Sequence, residues 1–94
     1  MTVVWSRRAV DNLIALRDYI AEDSPRSAGS VARRILDAAE LLTTQPHIGR
    51  SGRITGTREL VVAGTPFVIP YRVRGGRLEL LAVFHGRQKW PHQL

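Results

Sequence analysis

With 94 residues the chain is too short for a second core, since a domain takes about 150, and residues 1–94 are read as one domain. Hydrophobic residues at 44% and charged residues at 23% exclude a disordered chain, and the lack of cysteine excludes disulfides, a thiolate nucleophile and sulfur-ligated zinc. The net charge of +6 falls entirely after Gln45, a concentration that favours an anionic partner such as nucleic acid or an acidic protein segment.

Thr2-Val3-Val4-Trp5 has the β-branched and aromatic make-up of a short strand. Ser6 is an N-cap in type, and behind it Val10, Leu13, Ile14, Arg17, Ile20 and Ala21 recur at helical spacing until about Glu22. Ser24-Pro25 is a second helix start, with proline at the first helical position. From there to about Thr44 the residues Ala28, Val31, Ala32, Ile35, Ala38, Ala39 and Leu42 form one apolar stripe. Gly29, without a side chain, is expected to let the first helix approach the second.

Gln45 to Gly56 reads as a loop, after which the period changes to two. Arg58 to Val62 is one expected strand, Ala63 to Pro66 a turn, and Phe67 to Arg74 the next strand. Gly75-Gly76 is a two-residue hairpin turn, and Leu78 to His85 the last strand. The fold class is α+β in the order β-αα-βββ, a helical hairpin packed on one face of a small, mainly antiparallel sheet. In the last strand Leu78, Leu80, Ala82 and Phe84 alternate to one face, yet Leu81 and Val83 on the other are apolar too. Two helices cover one side only, so the second side is expected to be apolar and bare, awaiting a partner in preference to cover by a loop or the C-terminal tail.

Several stretches together resemble the RelE/ParE superfamily of toxins from type II toxin–antitoxin modules, and most closely its ParE, or plasmid-stabilisation, branch. They are Ala9-Val10-Asp11-Asn12-Leu13 with Tyr19-Ile20-Ala21, Pro46 to Arg50, Gly56 to Val61, Phe67 to Val73, and Phe84 to Pro91. The resemblance implies a toxin neutralised by a cognate antitoxin that covers the exposed sheet face, with operator DNA bound only through that antitoxin. ParE-like members stop DNA gyrase by binding it. RelE-like members are ribosome-dependent endoribonucleases that cut messenger RNA.

Metal-free RNA cleavage needs a proton acceptor, a proton donor and cations around one phosphate. His85, Arg72 and Arg87 are the catalytic candidates if the chain is a ribonuclease, with Arg58 as a further phosphate ligand and Glu59 or Tyr71 to complete proton transfer. Gly86 follows the histidine, where a nuclease would use an aromatic to stack on a base, which weighs against cleavage. The residues expected to bind antitoxin or target are Leu16, Arg58, Arg72, Leu81, Val83, Arg87 and Trp90. Arg58 and Arg72 could equally pair with Glu59 and Glu79, while Arg50 and Arg53 lie in a basic loop that could hold phosphate. Trp90, close to the last residue, must dock to be ordered, either plugging the sheet or joining a binding surface. His47 and His92 lack partners at metal spacing, so no metal and no cofactor is expected. No apolar run nears the roughly 18 residues of a membrane helix, and no leader is read at the N-terminus, so the expected compartment is the cytoplasm.

Overall fold

Why the chain makes two helices is visible at their first residues. The computed structural model describes residues 1–94, and in it α1 (Arg7–Ala21) begins where the Ser6 hydroxyl accepts the Ala9 N–H at 3.0 Å. A cap of this kind contributes about 1 kcal/mol. The second helix, α2 (Pro25–Leu42), starts the same way, with the Ser24 hydroxyl accepting from Ser27 and Pro25 in the first turn. Ala28, Ile35, Ala39 and Leu42 of the α2 stripe are buried. Gly29 has nothing within 4 Å of where a side chain would begin, so it does not mediate a close helix approach.

The strands are β1 (Thr2–Trp5), β2 (Arg50–Ser51), β3 (Arg58–Val61), β4 (Phe67–Arg74), β5 (Arg77–Leu80) and β6 (Phe84–His85). They form one sheet in the order β1-β5-β4-β3-β2, with β6 also pairing β4. All pairs are antiparallel except β1 with β5, which is parallel and sets Val3 beside Leu78. Gly75 and Gly76, at φ +59° and +74°, make the β4–β5 turn that only such residues take without strain. The short β2, within the expected loop, has too few residues to show a period.

One correction reorganises the site. The expected last strand is interrupted, because Tyr71 pairs with Leu80 whereas Val68 pairs with Phe84. Three steps along β4 therefore face four along the partner, which is a β-bulge over Leu81, Ala82 and Val83. The bulge is held from α1: the Ser6 hydroxyl donates to the Leu81 carbonyl at 2.9 Å, and the Val83 N–H donates to Asn12 Oδ1 at 3.0 Å. The extra residue reverses the alternation. Leu78, Leu80 and Val83 join Ala9, Ile35, Leu42, Ile69 and Tyr71 in the core beneath the helices. Phe84 falls in the opposite row, paired with Val68.

The expectation of a bare outer face is overturned as well. Val68, Pro70, Leu81, Ala82 and Phe84 are all buried within the single chain. Leu81 and Val83, expected to meet a partner, retain 8% and 3% of their exposure and offer it almost nothing. The cover is the chain itself, since the Trp90 ring lies 5.0 Å from that of Phe84. No helix is long and apolar enough to cross a membrane.

Candidate functional site

Two regions carry the residues singled out from the sequence: a groove on the helix side and a charged network on the outer side. The groove runs between α1 and the end of the sheet where β4 begins and β6 ends. It encloses about 690 Å³ and is lined chiefly by Leu16, Ile20, Val31, Phe67, Val83 and His85. Helical spacing puts Leu16 and Ile20 on one face of α1, and the bulge turns Val83 and His85 toward them. Tyr19 stands at the rim with 74% of its surface exposed. Leu16 is thus half-buried in the groove wall.

His85 is a hub for the tail. Its ring meets Phe67 edge-on at 5.7 Å, and its Nδ1 accepts the Arg87 N–H at 3.1 Å. Its own N–H donates to Gln88 Oε1 at 2.6 Å, and its carbonyl accepts from the Gln88 N–H and the Trp90 indole N–H. The imidazole nitrogen nearest the tail is therefore committed to backbone.

The nuclease constellation is not assembled. Phe67, the cross-strand partner of His85, shares the helix-facing row of β4, whereas Arg72 lies in the alternate row and five residues farther along. Arg72 Nε instead donates to Glu79 Oε1 at 2.6 Å. Tyr71 is fully buried, its hydroxyl donating to the Pro46 carbonyl at 2.8 Å and accepting the Gly49 N–H at 2.9 Å. Burial pushes its phenol above the ordinary value of 10.0, against the opposing effects of the Gly49 bond and Arg58, so it stays protonated as a donor. Arg58 holds the same loop from beside Tyr71, donating to the carbonyls of His47 and Gly49. Gly49 is required there, because a Cβ would lie 2.6 Å from the Tyr71 ring. Arg58 and Tyr71 are thus loop anchors.

On the outer face Glu59 is 3% exposed, with four guanidinium bonds and one backbone bond: Arg50 Nε and Nη2, and Arg53 Nε, Nη2 and N–H, all reach its oxygens. Burial pushes its carboxyl up, but the hydrogen bonds from Arg53 and then Arg50 outweigh that and hold it below 4.5. Arg50 and Arg53 are consequently committed to Glu59. The sequence pattern missed this network because β2, which brings Arg50 opposite Glu59, spans only two residues. Asn12 was missed as well, quoted as part of a stretch but not as the residue holding the bulge.

A family model described as "ParE toxin of type II toxin-antitoxin system, parDE" matches residues 3–90. Y4kP of Sinorhizobium fredii, which carries the name of a toxin, is 43% identical over 90 residues, covering 96% of this chain and 93% of its own. Toxin RelE2 of Caulobacter vibrioides is 42% identical over 83 residues, 88% of this chain and 92% of its own. Among solved structures, a chain of the chromosomal ParDE TA system from P. aeruginosa is similar with a TM-score of 0.81 and 27% identity, over 90% of this chain and 95% of that one.

Proposed function

Because the chain belongs to the ParE toxin family and is the toxin of a type II toxin–antitoxin module, we propose that it arrests growth by binding DNA gyrase, and that a cognate antitoxin neutralises it by laying an apolar segment into the groove of Leu16 and Ile20. The gyrase assignment follows the ParE branch of the superfamily. The observation that carries protein binding over RNA cleavage is the separation of His85 from Arg72. The two lie in opposite rows of the sheet, and Arg72 is occupied by Glu79. A nuclease has to gather its base and its cations around one phosphate.

The partner of the groove is an amphipathic antitoxin segment, since the lining is mainly aliphatic and aromatic and stays open in the single chain. Leu16 is its anchor on α1. Arg87 and Trp90 are tied to His85, through the Arg87 backbone N–H and the Trp90 indole N–H, and with the Trp90 ring on the outer face they belong to the surface that meets antitoxin or target. The complex acts in the cytoplasm, and contact with operator DNA is left to the antitoxin.

The deciding experiment incubates the purified chain with gyrase, ATP and supercoiled plasmid. Linear product that grows with toxin concentration is the expected result. Intact plasmid, together with position-specific messenger RNA cleavage that vanishes in His85→Ala, would replace this reading with the ribosome-dependent endoribonuclease of the RelE branch.

A further inference from the structure

The β4–β5 hairpin carries a concentration of charge that neither the core nor the groove explains. Arg72, Arg74 and Arg77 all converge on Glu79, at 2.6, 3.4 and 3.7 Å. One carboxylate thus faces three guanidinium groups, and the cluster keeps a net charge of +2. Glu79 is itself mostly covered, at 14% side-chain exposure, while Arg74 and Arg77 are 64% and 58% exposed. Arg74 stands directly opposite Arg77 across the ladder, an arrangement in which like charges repel and the sheet is weakened. Glu79, shared among three guanidinium groups, offsets only part of that repulsion, and a further anion between the two exposed groups would relieve the rest.

The surroundings narrow the kind of anion. None of the protein's cavities is lined by these arginines. Across the strand their neighbours on that face are Thr2 and Val4 of β1, so the patch is flat and holds no large apolar anchor. A protein partner would seat its affinity on such an anchor and leave charges at the rim. The turn at Gly75 and Gly76 is open, with nothing within 4 Å of where a side chain would begin, so an extended chain can pass the tip without a clash. Flat, cationic and open is the description of a surface that follows a phosphate backbone. Guanidinium groups suit it, because each offers a planar fork to phosphate oxygens.

We propose that the β4–β5 hairpin is a nucleic-acid backbone site, in which Arg74 and Arg77 clasp phosphodiester groups and Glu79 is a positioning residue that holds the two guanidinium groups side by side. Binding is independent of base sequence and falls steeply with salt. The site is separate from the groove and does not rest on gyrase as target, because it engages nucleic acid with no topoisomerase present. DNA and RNA share the backbone chemistry, and the two are distinguished by testing both.

The test is fluorescence anisotropy of the full chain with labelled duplex DNA and with single-stranded RNA of about 20 residues, between about 50 and 200 mM salt. Arg74→Gln with Arg77→Gln should weaken binding about tenfold and make the slope of log affinity against log salt shallower by about 1.8 on duplex DNA. Arg8→Gln with Arg26→Gln removes the same charge from exposed helix positions and should leave both quantities unchanged. Arg74→Lys with Arg77→Lys keeps the charge and should keep the salt slope, which guards against a folding effect of the glutamines. Equal losses in the two glutamine doubles would reduce the effect to overall charge and overturn the site. So would unchanged binding in Arg74→Gln with Arg77→Gln, or displacement of the labelled strand by a glutamate-rich peptide more readily than by unlabelled strand of equal charge.

Discussion

Arg53 stands over Trp90, its guanidinium carbon 3.4 Å from the centre of the indole. The same guanidinium donates to Glu59, and the indole rests on Phe84 at 5.0 Å, so carboxylate, cation and two aromatics form a single stack. The loop before β3 and the C-terminal segment are thereby fastened to each other over the outer face. A cation on an indole contributes about 0.5–1 kcal/mol where water reaches it. Arg53→Ala should therefore free the tail without unfolding the domain. The expected readings are faster hydrogen exchange over residues 86–94, altered Trp90 fluorescence, and unchanged exchange in β4 and β5.

Glu59 sets a pH limit on the same stack. Its carboxyl is held below 4.5 in the folded chain, so folding favours the ionised form. That stabilisation is complete above 4.5 and is lost as pH falls below it, through the depressed folded-state value. Denaturant midpoints measured down from neutral pH should be insensitive to this group until about pH 4.5 and then decline. In Glu59→Gln the decline should be shallower, with a lower midpoint at neutral pH because Arg50 and Arg53 lose their partner.

Tyr71 makes the clearest stability prediction. Removing its hydroxyl leaves the Gly49 N–H and the Pro46 carbonyl without their partner next to the core. An orphaned buried polar group costs about 1–3 kcal/mol. Tyr71→Phe should lower the unfolding free energy by about that amount, measured by urea titration with an unchanged slope. A change under half a kilocalorie would mean that the 46–49 loop is held chiefly by Arg58.

The groove is tested at Leu16. Replacing it with aspartate puts an unpaired charge in an apolar wall, where it opposes a partner's buried side chains. Capture of the cognate antitoxin should weaken at least about tenfold, or 1.4 kcal/mol, by calorimetry. Since Leu16 lies at the core's margin, the melting temperature should fall only modestly.

The sequence was most readable where one face of an element is buried and the other is wet. Ser6, Ser24 and Pro25 announce the helices, and Phe67 to Arg74 shows its alternation because Ile69 and Tyr71 are under the helices while Arg72 and Arg74 are not. It was least readable at Leu81 to Val83, where every residue is apolar and an inserted position leaves no mark in the pattern. That single offset moved Val83 into the core and turned Phe84 outward, and with it went the picture of an uncovered face. On the α1 side of the groove the sequence singled out Leu16 as a binding residue. The groove's far wall depends on the bulge, and the bulge on a hydrogen bond that the Val83 N–H donates to Asn12 across 71 positions of chain.

The parallel pairing of β1 with β5 has a bearing on synthesis. Val3 is made long before its ladder partner Leu78. The helical hairpin can form early from local contacts, whereas a strand without its neighbour cannot. The sheet that builds the groove wall is therefore completed only once β5 has been made. A ribosome that stops before residue 77 leaves β1 without its ladder partner. An antitoxin made nearby has until β5 is made to be present before there is a finished sheet to meet.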